Sequence, residues 1–242
     1  MSTHGSVVVF PTCLVELVRP RIGAAAIELL QRAGWAPVVA KGATCCGQPA
    51  WNSGFAPEAR RVARRTLRAL DRTDGPVVVP SGSCTAMIHE YWPVLFAGTA
   101  DEEAAKRVAG RVRELSGILA PGAARGVDDG SQDTVGFHDS CHMLRMLRLK
   151  DEPRAVLAEA GLEVQEIAGG ERCCGFGGTF SMKLPEISTA MADEKLDEFE
   201  ASGATTVVGC DLSCLVHLEG RARRRGMAVE FRHLAEVVAE RG

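Results

Sequence analysis

The chain has 242 residues, 28 Lys and Arg against 31 Asp and Glu, a formal net charge of -3 and 46% hydrophobic residues. That length suits one domain or two halves of about 120 residues sharing a core, and the interspersed, nearly balanced charge excludes a nucleic-acid or membrane-surface field. Met1 to Phe10 lacks a basic stretch followed by a long apolar one, and no apolar run approaches the ~20 residues of a spanning helix, so a cytoplasmic protein without a transmembrane segment is expected.

In chain order, Val7 to Phe10 reads as a strand, Ile22 to Ala33 as a helix and Trp35 to Ala40 as a second strand. Pro57 to Leu70 reads as an amphipathic helix with Arg60, Arg61, Arg64, Arg65 and Arg68 on its wet face, and Val77 to Val79 as a buried strand. A helix is expected after Cys84 and another over Asp101 to Leu119. Residues 121–133, rich in Gly, Ala and Asp, read as a linker between a first repeat (1–120) and a second (134–242). The order then recurs: strand Val135 to His138, helix Pro153 to Ala160, strand Leu162 to Ile167, helix Pro185 to Glu200, strand Thr205 to Val208, helix Ser213 to Arg225, strand Val229 to Phe231 and helix His233 to Glu240. Alternating strands and helices predict an α/β fold of two small, mainly parallel sheets flanked by helices, the halves related by pseudo-two-fold symmetry.

Eight of the nine cysteines fall into two sets with nearly the same spacing: Cys13, Cys45, Cys46 and Cys84, then Cys141, Cys173, Cys174 and Cys214. The first three of the second set lie 128 residues beyond their counterparts and the last 130 beyond, and each adjacent pair is followed by glycine, Gly47 or Gly175. Nine cysteines in a reducing compartment point to metal ligands or redox thiols rather than a disulfide framework. Each set follows predicted strand ends, where open α/β sheets bind ligands, so its members are expected to converge. Thiolates are soft donors that suit zinc or an iron-sulfur cluster. Structural zinc sites draw on compact paired knuckles, and the wide spacing here fits a bulkier cluster better.

The motif Cys, 31 residues, Cys-Cys-Gly and a later Ser-Cys, present twice, resembles the cysteine-rich CCG-domain family of iron-sulfur proteins, to which heterodisulfide reductase and its relatives belong. Pro-Ser-Gly-Ser-Cys at 80–84, Asp-Leu-Ser-Cys-Leu-Val-His at 211–217 and the stand-alone length are most similar to the lactate-utilization branch. The resemblance implies an iron-sulfur electron-transfer subunit of a complex oxidising L-lactate, or a related 2-hydroxy acid, to pyruvate. Its partners would include a ferredoxin-type iron-sulfur chain, since this chain has no Cys-x2-Cys-x2-Cys run of its own. It also implies that the eight repeated cysteines are the ligands.

Where heterodisulfide reductase has Cys-x2-Cys, this sequence has Ser81 and Asp211 three residues before the last cysteine. Four-cysteine sets are more compatible with a [4Fe-4S] centre, one or two per chain, with Asp211 and Cys210 as candidate extra ligands. Cys210 also reads as a core residue at a strand end, and Asp139 as a helix cap. His138 and His142 flank Cys141, and His89 and His217 follow Cys84 and Cys214; each is a candidate hydrogen-bond donor to sulfur or a proton carrier. His142, Arg145 and Arg148 are the candidates for holding a 2-hydroxy acid, since its carboxylate suits an arginine fork and its hydroxyl needs a base. A zinc-binding interaction protein and a thiol-disulfide enzyme of the heterodisulfide reductase type are the alternatives. The second set, with its spare donors and flanking histidines, is expected to be the electron-entry site.

Overall fold

The computed structural model describes residues 4–119, 122–125 and 133–242, so most of the expected linker, 121–133, lies outside the described residues. The chain divides into two compact units at Ala123 and Ala124. In unit 1 the strands β1 (Gly5–Val9), β2 (Trp35–Val39), β3 (Val77–Val79) and β4 (Val112–Glu114) form one parallel sheet in the order β2-β1-β3-β4. In unit 2, β5 (Asp133–His138), β6 (Leu162–Gln165), β7 (Thr206–Gly209) and β8 (Glu230–His233) repeat that order as β6-β5-β7-β8, again all parallel. A parallel neighbour requires a long return crossover, and the helices between strands supply it. In each unit the chain steps outward from the first strand to the second, then crosses back to the third. The reversal opens a crevice beyond the carboxyl ends of β1 and β3, and of β5 and β7.

Matching helices close one face of each sheet. Helix Ala56–Asp71 buries Ala59, Ala63, Thr66, Leu67 and Leu70. Helix Pro185–Ser202 buries Ser188, Ala192, Lys195, Leu196 and Phe199 at the same intervals, four, seven, eight and eleven residues from the first. In unit 1 these side chains meet Phe10, Trp92 and Phe96; in unit 2 they meet Leu215, Leu218 and Phe231. The arginines of the first helix face outward as expected. Arg60 and Arg64 fold back onto the Leu95 carbonyl (2.7 Å) and Asp101 (2.6 Å), and Arg61, Arg65, Arg68 and Arg72 line a surface groove with Lys41.

One expected element differs in kind. Asp101 to Leu119 is not a single helix: helix Glu102–Arg111 gives way to strand β4, whose Val112 and Glu114 are buried and Arg113 exposed. Val112, Arg113, Glu114 and Leu115 run apolar, polar, polar, apolar, which shows no strand alternation and reads equally as the end of a helix. Helical structure around Cys84 also begins earlier than expected, with Gly82–Ala86 enclosing the cysteine, followed by a π-helical turn Met87–Tyr91 and helix Trp92–Leu95. No helix among the described residues is long and apolar enough to cross a membrane.

Candidate metal centres

Both cysteine sets sit at the crevices. In unit 1, Cys13 follows β1, Cys45 and Cys46 follow β2, and Cys84 follows β3. Their thiols form a hydrogen-bonded chain, Cys13 to Cys45 to Cys46 to Cys84, and the Cys46 and Cys84 sulfurs lie 3.3 Å apart. Unit 2 repeats the chain as Cys141, Cys173, Cys174 and Cys214. The expected convergence within each half is therefore present in the fold.

The loops that carry these thiols are fixed by buried polar groups. Gly47 has φ +90°, and a Cβ there would lie 2.8 Å from the Ala59 carbonyl; at Gly175, with φ +86°, it would lie 2.6 Å from the Ser188 carbonyl. Glycine is thus required twice over, by conformation and by the helix backing the loop. The freed N-H groups of Gly47 and Gly175 point at the Cys45 and Cys173 sulfurs, at 3.4 and 3.5 Å. In unit 1 the buried Thr66 hydroxyl donates to the Cys45 carbonyl (2.9 Å), and the Trp92 indole donates to the Cys46 carbonyl (2.9 Å). Lys195 takes the place of Thr66 in unit 2. Its fully buried ammonium donates to the Gly170 and Arg172 carbonyls, at 2.6 and 2.9 Å.

The two central thiols ionise most readily. Hydrogen bonds from Cys13 and Cys46, with that of the Gly47 N-H, hold the Cys45 thiol well below the usual range, and Cys141, Cys174 and Gly175 do the same for Cys173. The donating partners Cys13, Cys46, Cys141 and Cys174 are pushed up, first by those same bonds and then by burial. A bound cation reverses this second trend, because it favours the thiolate at every ligand.

Ser81 and Asp211 share one structural role. The Ser81 hydroxyl accepts from the Cys84 N-H (3.4 Å), and the Asp211 carboxylate accepts from the Ser213 N-H (3.2 Å) and hydroxyl (2.6 Å), so each caps the helix that carries the last cysteine. Cys210 is buried at the end of β7. Asp139 is not a helix cap. Its buried carboxylate pairs with both terminal nitrogens of Arg154, at 3.0 and 2.8 Å, while Ser140 receives the Met143 N-H at 3.3 Å. The hydroxyl, one residue nearer the turn, is better placed to cap it.

The histidines separate. His89 is partly exposed and paired with Glu90 (2.8 Å). His217 lies 3.4 Å from the Ser188 hydroxyl and against the Phe176 ring, and burial pushes its pKa down. His142 lies 3.5 Å from the Cys141 sulfur, whereas Arg145 and Arg148 are exposed on or just after the same π-helical turn. His138 is 1% exposed; it, Cys174 and Cys214 offer ligand atoms within 4.8 Å of one another. Burial, then the nearby Lys195 charge, push the His138 pKa well down, so its imidazole is neutral. Neither Lys195 nor the cradle formed by Thr66 and Trp92 was expected from sequence. A lysine in the buried stripe of an amphipathic helix was the available signal for the first.

Soft thiol donors, glycine N-H groups aimed at sulfur and a buried neutral imidazole together fit a metal ion or metal-sulfur cluster. Comparison with known proteins agrees with the duplication: the model of the CCG cysteine-rich domain matches residues 7–89 and again 135–219. Lactate utilization protein A 2 of Bacillus cereus (strain 03BB102) is 38% identical over 236 residues, covering 96% of each chain. Lactate utilization protein A of Geobacillus kaustophilus is 41% identical over 237 residues, covering 96% of this chain and 98% of the relative. With two copies of the domain and full-length relatives of that name, this chain belongs to the CCG cysteine-rich family, in its lactate utilization protein A group.

Proposed function

We propose that the chain is a cytoplasmic iron-sulfur electron-transfer subunit of a complex that oxidises L-lactate, or a related 2-hydroxy acid, to pyruvate. The observation that carries this reading is the convergence of four thiols at the sheet crevice of each unit, in a chain whose full-length relatives are named for lactate utilization. Cys13, Cys45, Cys46 and Cys84 would hold one centre, and Cys141, Cys173, Cys174 and Cys214 the other. A bound iron-sulfur centre supplies reversible one-electron storage, and two of them match the two electrons released when a hydroxyl carbon becomes a carbonyl. Gly47 and Gly175 would then stabilise the reduced state through N-H bonds to sulfur.

Electron carriage is better supported than substrate oxidation on this chain. A carboxylate clamp works best when desolvated, and Arg145 and Arg148 are exposed. The partners would therefore include the chain that oxidises the substrate and a ferredoxin-type iron-sulfur protein. A single zinc ion per unit is the second reading, favoured by sulfur spacing. Four sulfurs about 2.3 Å from one tetrahedral ion lie about 3.8 Å apart, so the 3.3 Å between Cys46 and Cys84 needs less widening for an ion than for a cluster.

Deleting the gene from its host and testing growth on L-lactate examines the proposal. Growth is expected to fail, to return with the native gene, and to stay lost with Cys45→Ser combined with Cys173→Ser. Unimpaired growth of the deletion strain, or full rescue by the double variant, would contradict it.

A further inference from the structure

The two crevices differ at one position in the first strand of each sheet. At the carboxyl end of β5 stands His138, paired across the ladder with Gly209 of β7. At the same register in unit 1 stands Phe10, 128 residues earlier, beyond β1, and the residue corresponding to Gly209 is Val79. The exchange is concerted. A Cβ on Gly209 would lie 3.2 Å from the Leu215 side chain and 3.6 Å from the His138 Cβ, so the two exchanges fall at touching positions.

His138 is fully enclosed, and neither ring nitrogen has a hydrogen-bond partner among the described residues. Leaving a buried polar atom unpaired costs about 1–3 kcal/mol, and a leucine or phenylalanine would fill the same space without that cost. A neutral imidazole carries one lone pair, which is what a metal ligand needs, and here it shares a 4.8 Å cluster with the Cys174 and Cys214 sulfurs. Resting on the reading that the thiol sets hold metal, we infer that His138 is a ligand of the unit 2 centre, which is thus a mixed thiolate-imidazole site, whereas the unit 1 centre is held by thiolates alone.

The consequence is an electronic difference between the two units. An imidazole adds no negative charge, and where His138 takes the place of one of the four thiolates it raises the potential of an iron-sulfur centre. The Lys195 ammonium, where unit 1 has Thr66, acts in the same direction. The unit 2 centre therefore takes up an electron more readily than the unit 1 centre, and His138 is one cause of the difference.

The test uses anaerobically purified full-length protein, with iron, zinc and acid-labile sulfide measured first. In iron-loaded protein, pulsed electron paramagnetic resonance of the reduced state is compared between samples grown with 14N- and 15N-histidine. A directly coordinated histidine nitrogen is expected in the native protein and in His142→Ala, and is expected to vanish in His138→Phe, which installs the residue that unit 1 carries. The potential of one of the two centres should also fall in His138→Phe. Native protein with iron and sulfide but no histidine coupling would overturn the inference and leave the proposed function standing; this comparison holds even if His138→Phe fails to fold. Coupling lost in His142→Ala and kept in His138→Phe would overturn it too. If the metal is zinc, the proposed function fails, and absorption at the zinc edge decides the ligand: nitrogen beside sulfur supports His138, and sulfur alone refutes it. Protein that takes up no metal refutes both.

Discussion

Replacing Asp139 by alanine breaks the buried ion pair that anchors the turn between His138 and Cys141. The Asp139 carboxylate is 3% exposed and accepts two hydrogen bonds from Arg154, at 3.0 and 2.8 Å. The same guanidinium also donates to the exposed Glu166, at 2.5 and 2.8 Å, and lies 4.9 Å from the centre of the Phe137 ring. Removing one partner of a buried pair costs about 3–5 kcal/mol. Arg154 keeps Glu166 and is only partly buried, so the lower end, about 3 kcal/mol, is expected for Asp139→Ala. At 1.36 kcal/mol per tenfold, that is about a hundredfold in the opening equilibrium of unit 2. Hydrogen exchange on reduced, metal-stripped protein reads this directly: amides of β5 and β7 should exchange about a hundredfold faster, while those of β1 and β3 serve as the internal reference. A double-mutant cycle with Arg154→Met should give a coupling energy of about 2 kcal/mol. Acceleration of less than about tenfold in β5, or strict additivity in the cycle, would refute the assigned role.

Gly175→Ala places a methyl group 2.6 Å from the Ser188 carbonyl at φ +86°, and Gly47→Ala repeats the conflict in unit 1. Each should cost about 2 kcal/mol or more and lower metal uptake in its own unit; native uptake in both would show that the loops are not held as described. Metal-free, reduced protein treated briefly with iodoacetamide at pH 6 should be modified first at Cys45 and Cys173. Their pKa values are lowered, so thiolate is already present at a pH where an ordinary cysteine, near 8.5, is protonated. Peptide mapping that finds Cys46 and Cys174 modified first would contradict the assigned order. Asp211→Ala removes a helix cap and should cost about 1 kcal/mol with unchanged metal content; loss of metal in proportion would make Asp211 a ligand instead.

The duplication, the α/β order and the placement of the cysteines after strands were legible because each rests on a local or periodic signal: β-branched runs, helical stripes and an offset common to both halves. Strand β4 was missed because Val112, Arg113 and Glu114 are too few to show a period, and their pairing with β3 is a tertiary event. The role of Asp139 was misread for a related reason. Asp before a turn usually caps it, but here Arg154, fifteen residues on in the chain, captures the carboxylate. Ser81 and Asp211, different in chemistry, proved equivalent in position, since capping needs only a short side chain with an acceptor. His138 could be flagged from its place beside Cys141, but its lack of any hydrogen-bond partner became visible only when the fold buried it.

Metal and sulfide analysis of anaerobically purified protein tests the central claim most directly. Iron and acid-labile sulfide in near-equal amounts are expected, with a brown colour that bleaches on reduction, and with part of the iron lost in Cys45→Ser and another part in Cys173→Ser. Colourless protein with one zinc per unit and no sulfide would contradict an electron-carrying role.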